Sequence, residues 1–331
     1  MAVGVLDDVA IELQLDQLMR ETYTLWDEVW VGFSWRNYTY DHVTRVRRLA
    51  HTIGQSERAE LRPLRFGALL HDITKSYDGE IMMRDGQRVL DEDGFWRNET
   101  LPPRRRNLVT DLYEQLGLHG QVHHISGGRI ARAILDSHGF DHDFLSAVEE
   151  IIRSHLKVTD SSSEAGRSLY DADTMDANVG LPALYRNFQI VVHRQQQEYA
   201  KRGERFSDYL ATNLREFLVP YVRERLPTWN SGKNADFVPR MTTDTARDIA
   251  SDRISRLASE LDEMSRELDD FESATQSGRL AVVKHLILSH DNPSLSRELD
   301  RVEPVVISAT RSPNPASELI ASYRAECAGL R

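Results

Sequence analysis

The sequence predicts an all-α protein, a helical bundle with one small β-hairpin excursion and a C-terminal helical extension. Three observations carry that prediction. Inward-facing residues recur at helical spacing, as at His42, Val46, Leu49 and Ile53 and again at Phe144, Val148, Ile151 and His155. A long stretch from about Thr243 sets Ile254, Leu257, Leu261, Met264, Leu268 and Phe271 at alternating steps of three and four, which keeps them on one helix face. A strand signal is confined to "EIMMRDGQRVL", where Asp85-Gly86 separates two short apolar runs and suits a two-residue hairpin turn.

Taken in chain order, residues 41–53 form the first well-marked helix, with His42 on its inward face. "GALLHDITK" follows at 67–75, an apolar helix that runs into His71 and Asp72. A buried carboxylate without a partner is costly, so Asp72 needs a proton, a cation or a metal beside it. Residues 76–110 read as an excursion from the helical body, containing the hairpin and a turn-rich stretch that ends in Arg104, Arg105 and Arg106 after Pro102-Pro103. "HHISGGRIARAIL" returns to helix, with His123, Ile130 and Ile134 on one side and Gly127-Gly128 permitting close backbone approach. Residues 144–155 repeat the first pattern and end in His155.

Beyond Gly203, "FSDYLATNLREFLVPYV" reads as helix, 227–240 as a Pro/Gly/Asn-containing break, and 254–271 as a seam packed inside the monomer or against a second copy. The rest is a polar tail with one apolar helix candidate, "RLAVVKHLIL". The expected division is a core over 1–230 that includes the 76–110 excursion, a helical extension over 231–273 packed on the core, and a tail over 274–331 with one or two helices.

Composition narrows the function. The chain of 331 residues carries 41 Lys plus Arg against 52 Asp plus Glu, a net charge of -11, which is a poor field for a nucleic-acid polymer but leaves room for a local anion pocket. Its one cysteine, Cys327, makes no intrachain disulfide and fits a reducing compartment. No secretory signal or membrane-length apolar run is evident, so a cytoplasmic protein is expected.

The inward polar groups are the ones that matter: His42, His71, Asp72, His123 or His124, His155, and the acids of "YDADTMDANVG". Imidazoles and carboxylates are the ligand set of divalent metals, and several helices facing one another can bring them to one point. His, His-Asp, His, His and finally Asp, each on its own helix, resembles the HD superfamily of metal-dependent phosphohydrolases. "YDHVTRVRRLA", "GALLHDITK", "HHISGGRIARAIL", "EEIIRSHLK" and "YDADTMDANVG" are similar to its five motifs in order. A fainter likeness, carried by "FSDYLATNL" and "MTTDTARDIASDRISRLASEL", links the chain to a group of uncharacterised bacterial HD hydrolases.

The resemblance implies a set of roles. His42, His71, Asp72 and Asp173 would be metal ligands, with Asp173 preferred to Asp171 or Asp176. Relatives with two metals add two histidines, of which His155 fits one, while the other is His123 or His124; Asp72 would then bridge both ions. The cofactor would be one or two divalent ions (Mn, Fe, Co, Ni, Zn or Mg). Catalysis would rest on Asp72 and on Lys75, one helical turn after His71, where the family often has a lysine. Arg45, Arg129 and Lys157 would bind substrate with Lys75. Apart from the resemblance, Arg104, Arg105 and Arg106 form the densest basic cluster of the chain and read as a substrate-sensing lid or a solvated loop. The implied substrate is a small phosphate ester, a nucleotide foremost. Two rival readings share the same ligand order, an HD-fold di-iron oxygenase and an HD module that senses a nucleotide without turnover.

Overall fold

The apolar stripes expected from the sequence are helices in the computed structural model, which describes residues 7–26, 30–31, 34–35, 38–90, 94–292, 294–308 and 314–330. The chain divides into two units, one ending at Asp173 and the other beginning at Thr174.

The first unit contains α1 (Asp8–Tyr23), α2 (Tyr38–Ser56), α3 (Leu61–Leu70), α4 (Leu108–Gln115), α5 (His123–Ser137) and α6 (His142–Ser154), and the boundary falls within α7 (Glu164–Asn178). Its core joins Leu15 and Met19 of α1, Phe66, Leu69 and Leu70 of α3, Ile130 and Ile134 of α5, and Phe144, Val148 and Ile152 of α6. Two glycines set the helix spacing. A Cβ on Gly67 would stand 2.6 Å from Cγ2 of Ile151, and one on Gly127 would stand 3.2 Å from the His71 carbonyl oxygen, so α3 packs tightly on α6 and α5 rides directly over the His71 backbone.

The excursion is where the sequence places it. Met83–Arg84 pairs antiparallel with Gln87–Arg88 across Asp85 and Gly86. Both turn residues have positive φ, 52° and 76°, the conformation that makes Asp-Gly a favoured hairpin turn. Asp78–Ile81 and Asn98–Thr100 form a second antiparallel pair at the base.

The second unit contains α8 (Leu181–Ala200), α9 (Phe206–Pro220), α10 (Leu226–Phe237), α11 (Asp244–Glu267), α12 (Phe271–Ser277), α13 (Arg279–Leu288), α14 (Leu295–Ser308) and α15 (Pro315–Cys327). Three sequence expectations are corrected here. The units meet at 173/174 and not at 230, because α8 and α9 share a core with α11, α13, α14 and α15. The break expected over 227–240 is largely α10: α9 runs through a π-helical turn over Tyr221–Arg225 straight into α10, with helical backbone at Pro220, Arg225 and Leu226, so neither Pro220 nor Pro227 ends the helical run. The residues from 274 on are no tail. Leu295, Leu299, Val302 and Val306 of α14 and Leu319, Ile320 and Tyr323 of α15 are buried in that core, a helical stripe diluted by the polar residues between them.

Thr243 caps α11, its hydroxyl accepting from the Ala246 N–H. The seam from Leu257 to Phe271 lies inside the same core, so the surface that suggested a dimer contact is consumed within the unit. No helix among the described residues is long and apolar enough to cross a membrane.

Candidate metal centre

Two helix ends build the centre. His71 and His155 are the residues that follow the last turns of α3 and α6, where main-chain carbonyls lack helical partners. Each histidine bonds back to a carbonyl of that turn: Nδ1 of His71 donates to the Ala68 carbonyl at 2.9 Å, and Nδ1 of His155 to that of Ile152 at 2.6 Å. The proton is thereby held on Nδ1, and Nε2 of each ring presents its lone pair inward. Nε2 of His71 is buried and has no hydrogen-bond partner among the described residues.

Around these atoms the acids and remaining histidines form two clusters, His42–His71–Asp173 and Asp72–His123–His155, each with its ligand atoms within 4.8 Å of one another. Asp72 faces both. Its Oδ2 stands 3.8 Å from His71 Nε2 and 4.0 Å from His42 Nε2, while its Oδ1 stands 3.3 Å from His123 Nε2 and 3.6 Å from His155 Nε2. Asp173 Oδ1 lies 2.8 Å from His42 Nε2 and 3.8 Å from His71 Nε2. Nitrogen and carboxylate donors converge on two points with a carboxylate between them, and the unpartnered His71 Nε2 marks one of those points as built for a cation; the residues present fit divalent metals.

The electrostatics agree with that fit. Burial lowers His71 and His155, which favours the neutral imidazoles that metals require. Burial alone would raise Asp72, but His71, Lys75, His123 and His155 outweigh it and hold the carboxyl below its ordinary range. Asp173 is lowered in the same way, burial being overcome chiefly by the hydrogen bond from His42. Tyr23 and Thr74 fix the backbone beneath these groups: the Tyr23 hydroxyl donates to the Asp72 carbonyl at 2.6 Å, and the Thr74 hydroxyl to that of His123 at 3.1 Å.

Of the residues singled out in the sequence, His42, His71, Asp72, Asp173, His123 and His155 come together. Lys75 joins them, its ammonium 3.1 Å from Nε2 and 3.3 Å from Nδ1 of His123. Arg45 is buried on α2, one turn beyond His42. His124 belongs to neither cluster: successive residues on a helix point about 100° apart, and its ring lies edge-on to Phe95 at 4.3 Å. Burial pushes it down to about 3. Arg129 is exposed on α5, and Lys157 stands over the Phe95 ring at 5.2 Å.

The arginine triplet is placed differently from the lid expectation. All three are exposed; Arg105 donates to the Thr24 carbonyl at 2.8 Å and Arg106 pairs with Asp111 at 2.7 Å. These partners lie on α4 and just beyond α1, and they tie the end of the excursion to the helical body.

The excursion reaches the centre through residues the sequence reading missed. Asp78, the first residue of its basal strand, accepts from His123 Nδ1 at 2.5 Å, and Phe95 covers His124. Asp78 lies six residues after Asp72 in "SYDGE", a stretch that reads as a turn, and only the pairing of Asp78 with Thr100 shows where its carboxylate is aimed.

Residues 39–178 match the HD domain family. The likeness to HD domains covers that segment of the chain. All six clustered residues fall inside the matched segment, and no curated protein sequence matches the chain. Among solved structures, the chain is similar to a predicted HD superfamily hydrolase from an uncultured Thermotogales bacterium, at 22% identity over 77% of this chain and 91% of that one, with a TM-score of 0.42. It is also similar to YpgQ of Bacillus subtilis, solved in complex with ADP, at 17% identity over 78% of this chain and 96% of that one, with a TM-score of 0.37.

Proposed function

We propose that the HD domain is a metal-dependent phosphohydrolase that cleaves a phosphate ester of a small molecule, a nucleotide foremost, with water as the attacking group. The observation that carries this reading is the placement of Asp72, one carboxylate oxygen toward each cluster. His42, His71, Asp173 and Asp72 Oδ2 would hold one ion, and His123, His155 and Asp72 Oδ1 the other. Bound divalent cations supply Lewis acidity, acidifying water and offsetting phosphoryl charge.

The chain's own groups do the rest. Lys75 brings a positive charge beside His123, suited to a phosphoryl oxygen whose charge grows during transfer. Asp78 holds the His123 proton on Nδ1 and turns Nε2 to the centre. The buried rings of His71 and His155 exclude water from the back of the site. No side chain needs to act as a covalent nucleophile.

The test is a screen of the chelated, reloaded protein with Mn, Co, Ni and Mg against nucleotides, small phosphomonoesters and a chromogenic phosphate, with and without oxygen. Phosphate release in the absence of oxygen supports the hydrolase. Turnover that requires iron and oxygen supports the oxygenase, and metal-dependent nucleotide binding without product supports the sensor. His71→Ala and Asp72→Ala are expected to lose metal and activity together; either variant retaining both removes the assignment.

A further inference from the structure

Asp72 and Lys75 hang from one carbonyl. The Asp72 main-chain oxygen accepts from the Lys75 N–H at 2.9 Å, closing the turn that starts the short helix Lys75–Tyr77. The same oxygen accepts from the Tyr23 hydroxyl at 2.6 Å, so both of its lone pairs are in use. Its carbon is bonded to the Cα that bears the Asp72 carboxylate, and the turn it closes sets where the Lys75 side chain leaves the backbone.

Tyr23 is placed to hold that oxygen still. It lies in the last turn of α1, outside the segment 39–178 that matches the HD domain family, and it is 4% exposed in the core that joins α1 to α3. Leu15 and Met19, earlier on α1, are buried in the same core, and beyond the helix the Trp26 indole N–H donates to the Leu101 carbonyl at 2.9 Å. The hydroxyl therefore projects from an element fixed on both sides of it, the support that a ligand's outer partner needs. Packing alone does not require the hydroxyl. A phenylalanine would fill the same space, and the Asp72 oxygen would keep the Lys75 N–H.

From this geometry we infer that Tyr23 is a positioning residue of the metal centre: its hydroxyl fixes the Asp72 peptide, and through it both the carboxylate shared by the two clusters and the ammonium of Lys75. The inference rests on the two-ion assignment for Asp72 and on the phosphohydrolase reading for Lys75. Its signature differs from that of Asp78, which bonds to one histidine of one cluster. Asp72 has one oxygen toward each cluster, so a slack Asp72 loosens both ions together.

Tyr23→Phe in the full-length protein removes the hydroxyl and keeps the ring. Competition of Mn²⁺ against a chelator should show every binding step of the parent weakened by a similar factor, about threefold to tenfold, the scale of one buried neutral hydrogen bond. At saturating Mn²⁺, kcat on the best substrate of the phosphate screen should fall by about the same factor, with the chelated variant still melting as a folded protein. Thr22→Val is the matched control. Thr22 is buried, its hydroxyl accepting from the Asn107 amide at 2.9 Å and donating to the Leu18 carbonyl at 2.7 Å. Its replacement therefore weakens the end of α1 without removing a bond to Asp72. It should lower the melting temperature and leave the metal steps and kcat unchanged.

The inference is overturned if Tyr23→Phe binds Mn²⁺ or turns over as the parent does, or if its loss is confined to one of two steps. It is also overturned by an equal loss in Thr22→Val, which would mark a general loosening of α1. The phosphohydrolase reading fails separately. Parallel loss of both metal steps in Tyr23→Phe, with no phosphate released by the parent, removes the reaction alone; hydrolysis by the parent, with metal steps unmoved in Tyr23→Phe, removes the role of Tyr23 alone.

Discussion

Removing the Asp78 carboxylate should loosen one metal and spare the other. Asp78 accepts from His123 Nδ1 at 2.5 Å, and its side chain is 13% exposed, so solvent screens the bond only weakly. A charge-assisted hydrogen bond of this kind is worth about 1.5–3 kcal/mol. If that bond is what turns His123 Nε2 to the metal, Asp78→Ala costs about tenfold to a hundredfold in affinity at the Asp72–His123–His155 cluster, the usual scale for losing a ligand's outer partner. His42, His71 and Asp173 make no bond to Asp78, so affinity at their cluster should change by less than about threefold on the same scale. Asp78→Asn, whose amide oxygen can still accept from Nδ1, should fall between. The assay is competition of Mn²⁺ against a chelator, followed through two binding steps, with melting of the chelated protein as a check on folding. Two steps that weaken equally, or a second step that does not move, would exclude this role for Asp78.

Gly67→Ala drives a methyl to 2.6 Å from Ile151 Cγ2 and should destabilise by about 1–3 kcal/mol; in a denaturant series the Gly67→Ala/Ile151→Ala double variant should lose less than the sum of the singles, and strict additivity would contradict the contact. Burial holds His71, His155 and His124 below the ordinary histidine value, so below about pH 6.5 the unfolded chain binds protons that the folded chain does not. Stability of the chelated protein should be full above that pH and fall on acidification by up to about 1.4 kcal/mol per pH unit for each histidine; a urea midpoint that is flat or rises between pH 7.5 and 5.5 would refute neutral burial. Replacing Arg104, Arg105 and Arg106 together with Gln should leave KM within about twofold, since the Arg106–Asp111 pair is exposed and worth under about 1 kcal/mol; a tenfold rise in KM would restore the lid.

Part of the clustering is legible because His42, His71-Asp72 and His155 sit where a helix pattern stops being apolar. His42 shares a stripe with Val46 and Leu49, His155 ends one begun by Phe144, and His71-Asp72 interrupts one outright. Helical phase does not separate His123 from His124 without knowing which neighbour lies across, and here the Gly127 contact with the His71 carbonyl sets the rotation of α5. Asp78 and Phe95 were hidden because their roles depend on strand pairing in the excursion, which local sequence does not encode. The last helices were misread for another reason: α14 alternates buried Leu295, Leu299, Val302 and Val306 with charged residues, so its average is polar although one face is not.

Diffraction from Mn-loaded crystals at the manganese edge is the direct test of whether Asp72 stands between two metals. Two anomalous peaks about 3.5–4 Å apart are expected, one bounded by His42, His71 and Asp173 and the other by His123 and His155, with a different oxygen of Asp72 toward each. A single peak, or two peaks of which one is out of reach of Asp72, would contradict it.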